Sequence, residues 1–260
     1  MTLALHALHA VASRLDPASL DDTLALAELQ TRFDRKYILT PRAFHQLTVD
    51  LHDQMEVLEI DGDRCFRYES VYFDTEDLAS YHDTARERRR RFKVRTRAYL
   101  DSGRCALEVK TPGGRGETTK ERSDYPFELR DQLNEDALMF IGARVPMLGC
   151  DRTLTSVLTT RYRRATLVDR RVGSRVTCDV DLEWIAPDGA IVALDGYLLV
   201  ETKSTGAPTI ADRLLWAAGQ RPVTISKFGV GMAAFNPRLP ANKWNRTLRR
   251  YFGWAPLEPA

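Results

Sequence analysis

Polar and apolar residues alternate along several stretches of the chain, and the polar member is usually charged. In R-F-K-V-R-T-R, Arg91, Lys93, Arg95 and Arg97 take the odd positions, and Phe92, Val94 and Thr96, followed by Ala98, take the even ones. Successive side chains on a strand point to opposite faces, so this spacing predicts a strand with one cationic and one mostly apolar wall. The pattern recurs from Arg32 to Thr40, where Arg32, Asp34 and Lys36 oppose Phe33, Tyr37 and Leu39. From Ala106 to Thr111, Glu108 and Lys110 oppose Leu107 and Val109. Arg161 with Arg163, and Glu201 with Lys203, repeat it. From Arg175 to Trp184, Arg175, Thr177, Asp179, Asp181 and Glu183 oppose Val176, Cys178, Val180, Leu182 and Trp184. Such alternation predicts half-buried antiparallel strands. Two arrangements remain open: charged faces outward into water, or an inverted barrel with charged faces in a lumen and apolar faces against helices.

Helices are expected where local signals permit them. Thr40 followed by Pro41 supplies an N-cap and a first-turn proline for a helix burying Phe44, Leu47 and Leu51. Further helices are expected at about 130–141, at 210–219 and, as a basic segment with Trp244, Leu248 and Phe252 on one side, at 242–252. The N-terminus reads as a short helix, since two histidines interrupt its apolar run and no basic region precedes it. Pro112 to Gly116 reads as a turn between strands, lacking the G-K-[ST] of a phosphate-cradling loop.

A chain of 260 residues, 43% hydrophobic, can bury a substantial core. Its 38 basic and 36 acidic residues nearly cancel to +2, so bulk charge does not make it a polyanion binder, and cations concentrated on single strand faces point to a site. Those faces lack the interleaved aromatics that nucleic acid would want, so no nucleic-acid partner is expected. Cys65, Cys105, Cys150 and Cys178 are widely separated without metal-ligand spacing, and no apolar run is long enough to span a bilayer. Reduced thiols, no membrane segment of its own and a cytoplasmic location are expected.

Nine short motifs carry a family resemblance. They are F-D-R-K-Y (33–37), Y-F-D-T (72–75), K-V-R-T-R-A-Y (93–99), L-E-V-K-T (107–111), T-K-E-R (119–122), T-R-Y-R-R (160–164), R-V-T-C-D (175–179), L-V-E-T-K (199–203) and S-K-F (226–228). In this order they resemble the catalytic domain of the vacuolar transporter chaperone (VTC) polyphosphate polymerases, within the triphosphate tunnel metalloenzymes. The resemblance implies an α+β fold, an antiparallel eight-stranded β-barrel with flanking helices. It divides the chain into a helical extension over 1–30, a tunnel domain over 31–235 and a basic tail, helical in part, over 236–260.

The resemblance also implies roles. Arg95, Arg97, Lys227 and Lys36 would be the catalytic cations, and Lys110, Lys120, Arg161, Arg163, Arg175, Lys203, Lys93 and Ser226 would bind substrate phosphates. Glu201 and Glu108 would be the metal ligands for Mn²⁺ or Mg²⁺, hard ions that suit oxygen donors. The implied partners are ATP and inorganic polyphosphate or pyrophosphate. The implied reaction moves the ATP γ-phosphoryl group to a growing chain; hydrolysis of tripolyphosphate or nucleoside triphosphates, and polyphosphate binding without turnover, are the alternatives. His6, His9, His45, His52 and His82 all lie off the charged faces, which suits an acceptor phosphate that needs no general base. Asp34 stands where the family more often has Glu.

Overall fold

The fold is described from a computed structural model covering residues 1–27, 33–113, 118–149, 152–169, 171, 173–204 and 207–256. In chain order the elements are α1 (Leu3–Ala12), β1 (Asp16–Ala18), α2 (Leu20–Ala27), β2 (Phe33–Leu39), α3 (Pro41–Leu51), β3 (Glu56–Leu58), β4 (Phe66–Thr75), α4 (Ala79–Ala85) and β5 (Lys93–Tyr99). There follow β6 (Arg104–Pro112), β7 (Thr118–Tyr125), α5 (Glu135–Arg144), β8 (Leu154–Asp169), β9 (Ser174–Ile185), β10 (Ile191–Ala193), β11 (Leu198–Ser204), α6 (Ile210–Ala217), α7 (Lys227–Phe235) and α8 (Asn245–Phe252). The chain forms two compact units. Unit 1 comprises 1–67, 162–182 and 194–224, and unit 2 comprises 68–161, 183–193 and 225–260.

In unit 1, β11 pairs antiparallel with β2 on one side and β9 on the other. One face of these strands carries Tyr37 and Leu39, Val176, Cys178 and Val180, and Leu198 and Val200. These pack with Leu5 and Leu8 of α1, Phe44, Leu47 and Leu51 of α3, and Leu215 of α6 in one core. The expected helix at Thr40 is present: the Thr40 hydroxyl accepts from Ala43 N at 3.2 Å, and Pro41 occupies the first turn. Helix α6 opens on a capping box in which Thr209 and Asp212 exchange hydrogen bonds. The same Asp212, fully buried, accepts from Tyr37 Oη at 2.7 Å and from Thr202 Oγ1 at 2.7 Å. One carboxylate therefore ties α6 to both β2 and β11.

In unit 2, β4, β5, β6 and β7 form an antiparallel meander, and β8 lies on the other side of β4. Burial along β5 alternates residue by residue, with Val94, Thr96 and Ala98 buried and their neighbours half-buried. Val94 and Ala98 join Val71, Phe73, Leu107 and Val109 and pack with Ala137 and Ile141 of α5. A second apolar group forms around α7, where Phe228 stacks on Tyr72 at 5.2 Å and Trp184 Nε1 donates to Lys227 O at 2.6 Å.

Three differences from the sequence expectations stand out. The fold is the expected one, mostly antiparallel strands with flanking helices, and differs only in closure: no hydrogen-bonded ladder closes the strands into a barrel among the described residues. The helix expected at 130–141 starts at Glu135, because Asn134 caps it by accepting from Ala137 N at 2.9 Å. Helix α7 is not legible in K-F-G-V-G, since glycine disfavours helix interiors. The structure uses both glycines for close approach: a Cβ on Gly229 would stand 2.2 Å from Trp244 Cζ2, and one on Gly231 would stand 2.2 Å from Trp184 Cδ1. Of the turn expected at Pro112 to Gly116, Pro112 belongs to β6, in register with Thr118 of β7, and residues 114–116 lie outside the described residues.

Gly229→Ala is therefore expected to lose roughly 1–3 kcal/mol by overpacking despite its better helix propensity. Urea denaturation of the two proteins side by side measures this, and a variant as stable as the parent contradicts the packing account.

Candidate functional site

Each unit presents a charged wall on the sheet face opposite its apolar core. In unit 2 the register sets Lys93, Lys110 and Lys120 side by side across β5, β6 and β7. The next rung reads Arg95, Glu108 and Arg122. Arg97 follows on β5, opposite Ser70 of β4. Like charges directly opposite repel, so a rung of three lysines is stable only with anions close by. Glu108 supplies one from inside the protein. Only 1% exposed, it accepts from Arg95 Nε and Nη2 at 2.8 and 2.6 Å, and lies 3.6 Å from Arg97 Nη2 and 3.7 Å from Lys120 Nζ. Burial alone would raise its pKa, but Arg95, then Lys120 and Lys110, outweigh burial and hold it down to about 2. Arg95 also donates to Tyr72 Oη at 3.2 Å, and its guanidinium carbon lies 5.8 Å from the centre of that ring.

Hydrogen-bonding capacity remains on this wall. Arg97 Nε and Ser70 Oγ are buried without a hydrogen-bond partner among the described residues. Ser226 caps α7, its hydroxyl accepting from Gly229 N at 3.2 Å and from Lys93 Nζ at 3.3 Å, and Lys227 begins that helix. The N-terminal end of a helix favours anions.

The wall of unit 1 mixes the signs. Lys36, Glu201 and Thr177 form one rung, and Asp34, Lys203 and Arg175 the next. Glu201 lies 2.5 Å from Lys203 Nζ and 3.7 Å from Lys36 Nζ. Burial would push the Glu201 carboxyl up, yet Lys203 and Lys36 hold it well below the usual carboxylate range. Burial lowers Lys203 to about 8 against the pull of Glu201 and Asp34. Thr177 Oγ1 is another buried polar atom without a partner among the described residues. Beyond it Asp179, 2% exposed, receives a two-point contact from Arg164 at 2.6 and 2.9 Å.

The structure thus places Lys93, Arg95, Arg97, Lys110, Lys120 and Glu108 on one wall, with Ser226 hydrogen-bonded to Lys93 and Lys227 next to it in the chain. It places Lys36, Lys203, Arg175 and Glu201 on the other. Arg161 and Arg163 join neither. Arg161 pairs at 2.7 Å with Glu69, which alternates with Val71 and Phe73 and so lies on the helix-facing side of β4. Arg163 shares its face with Ala165 and Leu167 of the unit 1 core and lies 3.9 Å from Asp181. Asp181 leaves the Asp179 face because its backbone is left-handed (φ 49°), and its carboxylate accepts from Thr2 Oγ1 at 2.5 Å. The residue overlooked in T-R-Y-R-R is Arg164, which alternates with Tyr162 and lies on the opposite face from Arg161 and Arg163. Asp179, an acid facing inward on β9, was the available signal that a cation must come from the neighbouring strand.

No group of three His, Cys, Asp or Glu among the described residues is arranged to hold a metal ion. Glu108 is enclosed by cations and orders them. Glu201 can offer a single carboxylate, which suits a hard divalent ion that takes its remaining ligands from substrate phosphates and water.

With this geometry in place the family match becomes decisive: the sequence fits the profile of the VTC domain over residues 31–236. The chain belongs to the VTC domain family. This places it, within the triphosphate tunnel metalloenzymes, in polyphosphate- or triphosphate-related chemistry, in a superfamily that works with divalent metal ions. No curated protein matches the sequence. Similar solved structures include a candidate adenylyl cyclase from Hippeastrum described as having a dominant triphosphatase activity, 16% identical, with a TM-score of 0.48 and coverage of 82% of this chain and 99% of that one. Another is a candidate adenylate cyclase from Vibrio parahaemolyticus, 13% identical, with a TM-score of 0.41 and coverage of 73% and 87%. No helix among the described residues is long and apolar enough to cross a membrane.

The buried Glu108 cluster generates a pH prediction for this VTC domain. A carboxylate depressed from 4.5 to about 2 stabilises the fold by about 3 kcal/mol above pH 5 and loses that contribution as pH falls towards 2. Glu108→Gln is expected to be less stable than the parent at neutral pH, with the gap narrowing between about pH 5 and 2. Denaturant midpoints across that range check it, and a gap independent of pH refutes it.

Proposed function

We propose that this VTC domain is an ATP-dependent polyphosphate polymerase acting in the cytoplasm. The observation that carries the reading is the rung Lys93–Lys110–Lys120 with Arg95 and Arg97 beside it, five cations on one half-buried wall that holds one internal carboxylate, Glu108. A polyphosphate or triphosphate chain is the ligand whose repeating negative charge answers such a wall. Arginine's planar fork suits two-point capture of non-bridging oxygens, and lysine acts as a point charge. In unit 1, Lys36, Lys203, Arg175 and the newly identified Arg164 serve the same purpose, and Glu201 would hold Mg²⁺ or Mn²⁺ together with substrate oxygens. That ion would withdraw charge from the phosphates it touches.

In the proposed reaction the terminal phosphate oxygen of the acceptor chain attacks the ATP γ-phosphorus, the bond from that phosphorus to the β,γ-bridging oxygen breaks, and ADP leaves. Phosphoryl transfer asks the protein mainly for positioning and charge stabilisation. The acidic groups favour transfer to phosphate over transfer to water. Glu108 is held at about 2 and Glu201 well below its ordinary range, so both are weak bases at neutral pH, where a general base works best with a pKa near 7. A phosphate acceptor is already ionised and needs none.

Incubation with ATP, Mn²⁺ and a pyrophosphate primer is expected to yield chains longer than the primer, resolved by phosphorus NMR and gel electrophoresis. Arg95→Ala or Lys227→Ala should each lower the rate about a hundredfold or more, the scale of removing one preorganised donor from transition-state charge. Full polymer yield from both variants would reject the site assignment. Orthophosphate without polymer, abolished by Glu201→Gln, would instead establish triphosphate hydrolysis, and binding without turnover a polyphosphate-binding protein.

Lys203 adds a pH signature. With its ammonium poised to lose a proton at about 8, the affinity for tripolyphosphate should fall as pH rises from 7 to 9. Lys203→Arg should flatten that fall, because arginine stays charged throughout. Titration calorimetry at the two pH values reads it directly, and an equal slope in both proteins removes Lys203 from the phosphate site.

A further inference from the structure

Unit 2 carries a second concentration of positive charge, outside the wall. Between α4 and β5 the chain reads R-E-R-R-R-R, placing Arg86, Arg88, Arg89, Arg90 and Arg91 within six residues. Arg86, Arg88, Arg89 and Arg90 are exposed. The acid inside this run is already engaged, since Glu87 lies 2.5 Å from Lys243 Nζ. That contact brings the segment leading into α8 against the arginine loop, and two others hold it there. Tyr81 Oη donates to Pro240 O at 3.1 Å, and the Tyr81 and Trp244 rings lie 5.9 Å apart.

Helix α8 then adds cations of its own. Arg246, Arg249 and Arg250 are spaced i, i+3 and i+4 and are exposed, whereas Thr247 and Leu248 are buried. At about 1.5 Å per residue, the three lie within roughly 6 Å of one another along the helix axis. Arg249 and Arg250 also suit the negative end of the helix, so the loop and Arg246 carry more of the argument. The overall charge is only +2, so a gathering of this size is local, and counter-ions or a bound polyanion would relieve its mutual repulsion.

We infer that the arginine loop at 86–91 and the exposed face of α8 form an outer track for a long inorganic polyphosphate chain, distinct from the wall on which the reaction is proposed. The inference rests on the polyphosphate reading of that wall. Geometry within unit 2 supports it, because Arg91 runs directly into β5, where Lys93, Arg95 and Arg97 continue at every second position. The chemistry of the patch selects among polyanions. Trp244 is buried and the half-exposed Tyr251 already carries the Arg250 guanidinium over its ring at 5.3 Å, so the patch lacks the run of open aromatic faces that single-stranded nucleic acid uses. The apolar side of α8 is spent on the protein core, leaving little to insert into a bilayer. Bare repeating phosphate asks only for what is present, guanidinium forks in a row.

The test compares fluorescently labelled polyphosphate of about a hundred phosphates with tripolyphosphate, using the full chain, the Arg88→Glu/Arg89→Glu/Arg90→Glu triple variant, an Arg246→Glu/Arg249→Glu variant and Arg95→Ala. The parent is expected to bind the long chain at least about tenfold more tightly than tripolyphosphate, with a steeper salt dependence. Either charge-reversed variant should lose most of that advantage while keeping the parental affinity for tripolyphosphate, and the loop variant should also keep the parental thermal midpoint. Arg95→Ala should weaken both ligands. Equal long-chain affinity in the parent and in both charge-reversed proteins overturns the track while leaving the wall intact. Absence of tripolyphosphate binding by the parent overturns the reading of the wall, and the track with it. Loss of sedimentation with phosphatidylserine vesicles in the charge-reversed proteins, with long-chain affinity unchanged, assigns the patch to a membrane surface and also overturns the proposal.

Discussion

A wall of lysines and arginines can be half-buried only if carboxylates stand among the cations, and the structure depends on this constraint. Taking an ammonium or guanidinium out of water costs several kcal/mol, and an internal acid recovers that cost only with close geometry. Glu108 meets the condition in unit 2, with two hydrogen bonds to Arg95 and further cations within 4 Å. Glu201 meets it in unit 1 between Lys36 and Lys203. Each acid leaves its cations partly neutralised and spatially ordered. Such a surface is prepared for an anion that brings more negative charge than one carboxylate supplies.

The opposite faces of the same strands keep the walls in register. On β2 and β11, Tyr37 and Thr202 alternate with Lys36, Glu201 and Lys203, and both hydroxyls are bound by Asp212 of α6. A slip of one residue would expel all of these groups from their places. In unit 2 the tight seating of Trp184 and Trp244 over the two glycines of α7 fixes the helix whose first residues are Ser226 and Lys227. Core packing thereby sets the position of side chains that face away from it.

Much of this was legible in residue order. Period-two alternation located β5, β6, β9 and β11, the Thr40–Pro41 pair located α3, and the ordered motifs located the family. Where reading failed, a local rule was overridden by a tertiary one. Gly229 and Gly231 argue against a helix until the tryptophans that require them are seen. Asn134 moved a helix start by capping a backbone that Arg130 could not cap. Arg161 and Arg163 looked like members of the charged face because alternation pairs them with each other, and nothing in T-R-Y-R-R says which face of β8 turns towards Asp179.

The sequence by itself determined which residues share a face, because side-chain direction along a strand follows from backbone geometry alone. It also determined the family, through motifs whose order carries the information, and the near-cancelling net charge that makes local clustering meaningful. Only the tertiary structure decided which rungs the charges form, which acid is spent on which cation, and that Arg164 rather than Arg163 faces Asp179. It alone brought a basic helix from the end of the chain beside an arginine loop more than 150 residues earlier, through the contact of Lys243 with Glu87. Register and long-range packing are properties of pairs of segments, and no single segment encodes its partner.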